Sequence, residues 1–255
     1  MKRVIKIGGR AQSLPDLAAR ITSAWQARPR TFCVVHGGGD RITEFQRRAG
    51  IEPSFVDGRR ITTRADIEIV RMVLSGLVNK ELVSRFAAAG LDAVGISGED
   101  AATIVATPID ASGLGRAGKP VEVKPALIEM LLDGGYLPVI SPLAIEDGTV
   151  SETLNVNADD AAAAIAISVC ASELLLVADV EGVLNEDGKT VAYLDQGNAG
   201  ELIERGIINR GMKAKLDAGY AALAGGVGRV RISTLEGITD ADIGTILTFA
   251  QSAIS

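Results

Sequence analysis

Two lysines in glycine-rich frames, one near each end of the chain, are the residues best suited to chemistry. Lys6 lies in Val4-Ile5-Lys6-Ile7-Gly8-Gly9, and Lys215 in Gly211-Met212-Lys213-Ala214-Lys215. Between them stand His36-Gly37-Gly38-Gly39 and Asn155-Val156-Asn157-Ala158-Asp159-Asp160. Cations, glycine turns with accessible backbone N–H groups and an acid to position the cations together suit holding polyphosphate and moving a phosphoryl group.

Each motif also has a plainer reading. Lys6 near a strand end faces a ligand crevice if the fold is α/β, or solvent if Gly8-Gly9 is a simple turn. His36, the only histidine, suits an orienting hydrogen bond rather than proton transfer. The Gly37–Gly39 turn opens a helix whose N-terminus attracts anions. Asn157 alone would cap the helix after it, but capping needs one polar residue and three cluster here. Gly113-Leu114-Gly115-Arg116-Ala117-Gly118 has the spacing of a dinucleotide loop. No clear strand precedes it and Lys119-Pro120 stands where a helix should begin, so it reads as a hairpin tip.

The elements that must position these residues alternate between strand and helix. Strands are expected at Arg3–Ile7, Thr31–His36, Ala93–Ile96, Tyr136–Ser141, Leu174–Ala178 and Val230–Ser233. A helix capped by Ser13 should carry Leu17, Ile21, Ala24 and Trp25, and another should run from the glycine turn to about Ala49. Arg60–Thr62 ends a hairpin. A long helix is expected from Arg64 to Ala89, and a hairpin excursion over Thr103–Val123. Further helices are expected at Asn157–Ser168, Ala199–Arg205 and Met212–Leu223. Such alternation with short links predicts a three-layer αβα sandwich around a mostly parallel sheet. A division between lobes is expected near Val169–Glu173, giving residues 1–170 and 171–255.

Composition narrows the function. The 255 residues are 47% hydrophobic and 23% charged, enough for a substantial core in one domain or two lobes. A net charge of -6 and 4% aromatics argue against a nucleic-acid partner. No apolar run approaches the roughly 20 residues of a membrane helix. The apolar stretch before Gly8 is too short for a signal-peptide core, so the expected compartment is the cytoplasm. Cys33 and Cys170 sit in apolar neighbourhoods and read as two buried free thiols; no zinc spacing exists, and no protein-held metal is expected.

Taken together, nine motifs in order resemble the amino acid kinase family, over essentially the whole chain. They are Lys6–Gly9, His36–Gly39, Asp57-Gly58-Arg59-Arg60-Ile61-Thr62, Leu77–Lys80, Gly95–Gly98, Gly135–Val139, Asn155–Asp159, Asp179-Val180-Glu181-Gly182-Val183-Leu184 and Gly211–Lys215. Within the family the likeness is strongest to members that phosphorylate the γ-carboxylate of N-acetyl-L-glutamate with ATP, a step of arginine biosynthesis. That carboxylate has an ordinary pKa near about 4.3 and is already ionised at neutral pH. The reaction then needs charge neutralisation and alignment rather than a base.

The resemblance implies roles. Lys6 and Lys215 are the transition-state lysines, and Asp159 orients both. Gly8, Gly9 and Gly38 offer backbone to phosphate. Gly38, Gly39, Arg60 and Asn155 form the acylglutamate pocket, with Arg60 forking onto the α-carboxylate. Asp179, Val180, Glu181, Gly182, Val183, Leu184, Ile207, Ile208, Asn209 and Met212 form the nucleotide site. Magnesium accompanies ATP, held mainly by phosphates and water.

Arg10, where a small or apolar residue is expected, either touches phosphate or lies outside the site. Arg231-Ile232-Ser233-Thr234-Leu235-Glu236 replaces a commoner Asp-Gly run, which leaves the nucleotide lobe there open. Rival readings are a sister kinase acting on N-succinylglutamate or on carrier-protein-bound aminoadipate, and a non-catalytic amino-acid-binding regulator on the same fold. Arginine-inhibited family members resemble hexameric rings built through an extra N-terminal helix, whereas the first strand here opens at about Arg3. Ile69 and Val73 lie off the main stripe of the long helix. The expectation is a two-fold homodimer with that helix at its interface, not inhibited by arginine.

Overall fold

The protein, seen in a computed structural model, is described over residues 2–56, 58–110 and 113–249. Its first half runs β1 (Arg3–Ile7), α1 (Leu17–Ala27), β2 (Phe32–His36), α2 (Gly39–Arg48), the two-residue strands β3 (Phe55–Val56) and β4 (Arg59–Arg60), and α3 (Arg64–Arg71). Then follow α4 (Asn79–Ala88), β5 (Ala93–Ser97), β6 (Ile104–Pro108), β7 (Ala117–Val123), α5 (Ala126–Asp133) and β8 (Leu137–Ser141). The remainder is β9 (Leu143–Glu146), β10 (Thr153–Val156), α6 (Ala158–Ser168), β11 (Glu173–Val177), β12 (Tyr193–Asp195), α7 (Gln196–Glu204), α8 (Arg210–Ala224), β13 (Val230–Ser233) and β14 (Thr245–Thr248).

Eight strands form one sheet in the order β12-β14-β13-β11-β1-β2-β8-β5. From β11 to β5 on one side, and from β11 to β13 on the other, neighbours are parallel; β14 runs against β13. Apolar runs in β1 (Val4-Ile5), β2 (Phe32–Val35), β8 (Leu137–Ile140) and β11 (Leu174–Val177) are what burial on both faces demands. One core lies between the sheet and α5, α6 and α8, and contains Val4, Val35, Leu176 and Ile232. The other lies between the sheet and α1, α4 and the segment before α4, and contains Ile5, Ile7, Val34 and Val177. The expected three layers are present.

The chain builds outward from β1 on both sides, so β1 is a topological switch point. Because β1, β2 and β11 are parallel and Ile7 pairs with both His36 and Val177, all three strands end level. Gly8, Gly37 and Ala178 therefore emerge side by side. Val4 belongs to the α6/α8 core, so strand alternation points Lys6 to that same face.

Several expectations shift. The Arg64–Ala89 helix is interrupted by a π-helical segment, Met72–Val78, between α3 and α4. A wider turn moves the residues after it around the axis, which a 3.6 period cannot reveal. Val73 is 1% exposed and belongs to the core, and Ile69 is partly buried against it. Neither forms a free second flank. Helix α1 begins at Leu17, not under a Ser13 cap; Asp16 is its N-cap residue and pairs with Arg20.

The Thr103–Val123 excursion is an antiparallel β6–β7 pair that closes with β9 and β10 into a four-stranded barrel. Strands β9 and β10, like β12 and β14, are three or four residues long, too short to show alternation in sequence. Gly115, in the dinucleotide-like run, has φ +62° and its backbone bridges Thr62; a Cβ would stand 2.5 Å from the Thr62 carbonyl oxygen. That glycine lets the backbone just before β7 lie against Thr62.

Cys33 is buried, its thiol pushed up to about 12 by burial. Cys170 instead is exposed, in a left-handed turn (φ 50°) after α6. Arg231 is 1% exposed and takes the place left open in the nucleotide lobe. Its Nε donates to Glu173 at 3.1 Å, and Nη1 and Nη2 donate to the carbonyls of Asp240, Ile243 and Gly237. One guanidinium thus anchors the 237–243 loop. No described helix is long and apolar enough to cross a membrane.

Candidate active site

Three side chains from three distant segments meet on the α6/α8 face of the sheet. Lys6 Nζ is 2.8 Å from Asp159 Oδ1, and Lys215 Nζ is 3.1 Å from Asp159 Oδ2. Each position has a local cause. Asn157 caps α6 by accepting from the Asp159 N–H at 2.8 Å, which sets the acid in the first turn, where the helix dipole favours an anion. Asn209 caps α8 by accepting from the Met212 N–H, which fixes the turn carrying Lys215. Small residues in α6 (Ala161, Ala162, Ala166) and α8 (Ala218, Gly219, Ala222) let the two helices lie close to each other, α6 against β1 and α8 against β13, β14 and β11.

Burial sets the charges. It pulls the Lys6 ammonium down to about 8, with Asp159 opposing that shift and Lys215 adding to it. Burial alone would push the Asp159 carboxyl up, but the two ammonium groups outweigh it and hold the acid below the ordinary carboxylate range.

Lys6 forms a wall common to two cavities. One, of about 230 Å³, is lined by Gly38, Gly39, Arg60, Asn155 and Asp159. The other, of about 510 Å³, is lined by Gly8, Gly9, Asp179, Met212 and Lys215. Lys6, Gly9 and Gly39 line both.

In the smaller cavity Arg60 is 8% exposed and seated on α2. Its Nη2 donates to Thr43 Oγ1 at 2.8 Å and to the Gly39 carbonyl at 2.9 Å, and its Nη1 donates to Gln46. Phe55 stacks 4.7 Å from its guanidinium carbon. Asn155 donates to Thr62 Oγ1 at 3.1 Å. Gly38 packs so closely that a Cβ would lie 2.6 Å from Leu74 Cδ2. Gly39 opens α2, where a Cβ would meet nothing within 4 Å, and both glycines line the cavity.

Of the expected nucleotide residues, Asp179, Val180, Asn209 and Met212 line the larger cavity with Gly8 and Gly9. Glu181 is exposed. Gly182 packs against Thr245, and Val183 donates its N–H to Thr245 Oγ1 at 2.8 Å; Leu184 bridges Thr190. Val183 and Ile208 are buried in the core, and Ile207 is half-buried. None of these six residues lines the larger cavity. Asp57 lies outside the described residues.

His36 is fully buried. Its Nδ1 faces the Gly37 carbonyl at 2.9 Å and so carries the proton, leaving Nε2 to accept from Asn79 Nδ2 at 3.1 Å. Burial lowers its pKa to about 4, so it is neutral at physiological pH. It bolts the end of β2 to α4, as an orienting residue should.

Arg59 and Asp160 join the site although their residue types alone do not mark them. They form a 2.8 Å ion pair between the β3–β4 hairpin and the first turn of α6, and Arg59 lines the smaller cavity. The doubled acid Asp159-Asp160 was the available signal. Among the described residues no cluster of three His, Cys, Asp or Glu side chains forms a metal site. Asp159 is committed to two lysines.

The family profile matching this chain, over residues 1–233, is described as the amino acid kinase family. An acetylglutamate kinase of Chlorobaculum tepidum is 42% identical over 236 residues, covering 90% of this chain and 81% of that one. One from Methanopyrus kandleri is 41% identical over 248 residues, covering 93% and 96%. The crystal structure of smu.665 from Streptococcus mutans UA159 superposes with a TM-score of 0.85 at 28% identity, covering 96% of this chain and 98% of that one. With a junction of two lysines on one acid and a profile spanning nearly the whole length, the chain belongs to the amino acid kinase family.

Proposed function

We propose that this protein is an ATP-dependent kinase that transfers the γ-phosphoryl group to the γ-carboxylate of N-acetyl-L-glutamate. The observation that carries the reading is Lys6. It lies between a small cavity fitted for a carboxylate ligand and a larger groove fitted for polyphosphate, with Asp159 holding it beside Lys215. An ionised γ-carboxylate needs no base. It attacks the γ-phosphorus, the bond to the β-phosphate oxygen breaks, and ADP and an acyl phosphate leave, a step of arginine biosynthesis. The gain comes from alignment and from two cations beside the charge that develops on the transferring oxygens.

In this reading Arg60 and Asn155 hold the acylated amino acid, with the Gly38 and Gly39 N–H groups near the reacting carboxylate. Asp179, Val180, Asn209 and Met212 bound the nucleotide, and Gly8 and Gly9 approach its phosphates. Magnesium enters with ATP, carried by phosphates and water. Residues 1–170 then form the acceptor lobe and residues 171–255 the nucleotide lobe, meeting where β1 pairs with β11. We place the enzyme in the cytoplasm as a homodimer with the Arg64–Ala89 segment at the interface; Met72 on that segment is 63% exposed. Light scattering at twice the chain mass of 26.5 kDa is the expected result.

The decisive experiment is ATP consumption with N-acetyl-L-glutamate, N-succinyl-L-glutamate and no acceptor, the acyl phosphate being trapped as its hydroxamate. Turnover with the acetyl compound is expected to exceed the succinyl compound by at least tenfold. Preference for the succinyl compound would assign a sister activity, and absence of hydroxamate with either would refute the acylglutamate kinase reading.

A further inference from the structure

The larger cavity carries a cation that phosphoryl transfer, as described, does not use. Arg10 follows the Gly8-Gly9 turn and begins a short 3₁₀ turn, Arg10–Ser13. Its Nη2 lies 2.8 Å from Asp179 Oδ2. The pair joins the segment after β1 to the segment after β11 across the groove that Lys6 and Lys215 also line.

Four features define what this pair does. The Arg10 side chain is 79% exposed and that of Asp179 42%, so the contact is weak and screened, not a strut between lobes. Asp179 faces a groove fitted for a polyanion and would by itself repel one. A guanidinium fork matches phosphate oxygens bidentately, and a di- or triphosphate outcompetes a single carboxylate for it. Lys6 and Lys215 are committed to Asp159, whereas Arg10 is free to change partners.

We propose that Arg10 contacts the β- and γ-phosphates of the bound nucleotide, exchanging Asp179 for phosphate oxygens as the nucleotide enters. It is a binding residue for the polyphosphate, acting on affinity rather than on the transferring group. This inference rests on the larger cavity being the nucleotide site.

Calorimetric titration of MgADP and of AMP into wild type, Arg10→Ala, Arg10→Lys and Arg10→Ala/Asp179→Asn tests it. Arg10→Ala should weaken MgADP on the order of tenfold and leave AMP within about twofold. Arg10→Lys should recover part of the loss, and the double variant should not recover it. Raising salt should narrow the gap between wild type and Arg10→Ala. Unchanged MgADP affinity, an equal loss for AMP, or full recovery on removing the Asp179 charge would overturn the proposal. The ¹³C-methyl signal of Met212 separates the two levels of the argument. If MgADP leaves it unmoved in wild type, the nucleotide-site reading itself falls. If it moves while Arg10→Ala binds MgADP as wild type does, only the role of Arg10 falls.

Discussion

Lys6 and Asp159 form an ion pair 2.8 Å long with side chains only 6% and 7% exposed. A buried pair of this kind adds little net stability, because desolvation offsets most of the attraction. Its value is positional: Asp159 sits in a capped first turn, Lys6 in the central strand, and neither can drift. Lys215 completes the arrangement from a third element.

Removing either lysine is therefore expected to act on turnover. Lys6→Ala and Lys215→Ala should each lower kcat by roughly 10²-fold or more, with a smaller change in KM for either substrate. Asp159→Asn should cause a comparable loss by releasing both ammonium groups. Unaltered turnover in a lysine variant, measured on protein shown folded by circular dichroism, would remove that lysine from the mechanism.

The Lys6 pKa of about 8 predicts a pH limb. Deprotonation removes the positive charge, so kcat/KM for ATP should fall as pH rises through about 8. In the ternary complex the phosphates favour the ammonium, so the limb in kcat should lie higher. His36, with a pKa of about 4, should give no limb near 6.5. For folding, the Lys6 pKa lies below the ordinary lysine value. The unfolded chain therefore holds more protons between about 8 and that value, and this residue's contribution makes stability rise with pH across that window. A flat alkaline profile of kcat/KM to pH 9.5 would contradict the assignment.

Arg60→Lys should raise the N-acetylglutamate KM about tenfold or more and leave the ATP KM nearly unchanged, because an ammonium cannot reproduce a guanidinium fork. The same change loses contacts to Gln46, Thr43 and the Gly39 carbonyl, so a lower melting temperature should accompany it. Steady-state kinetics varying each substrate in turn checks the first effect, and calorimetry the second.

Gly38→Ala puts a methyl group 2.6 Å from Leu74 Cδ2, in a packed core. Overpacking of this kind should cost about 1–3 kcal/mol and displace the N-terminus of α2 from the acceptor cavity. Leu74→Val in the same chain makes room, so the double variant should lose less than the sum of the singles. Urea denaturation of the four proteins measures this coupling; strict additivity would show that Gly38 is not held by that contact.

The central site was legible in sequence because its chemistry is written in residue types and local turns. Lys6 precedes two glycines, Asn157 caps the helix that carries Asp159, and Asn209 caps the helix that carries Lys215. Strand–helix alternation likewise determined the layered fold, since apolar runs buried on both faces leave few other architectures. Tertiary structure alone decided the rest. Whether Lys6 faces solvent or Asp159 depends on which face of β1 meets α6, and that is a property of the whole sheet. The π-helical segment after Arg71, the barrel strands around Asn155 and the contact of Arg10 with Asp179 arise from packing between segments distant in the chain. Strands of three or four residues and a single widened turn carry too few positions for any period to register. An ion pair across a groove has no local signature, because nothing near Arg10 in sequence depends on Asp179.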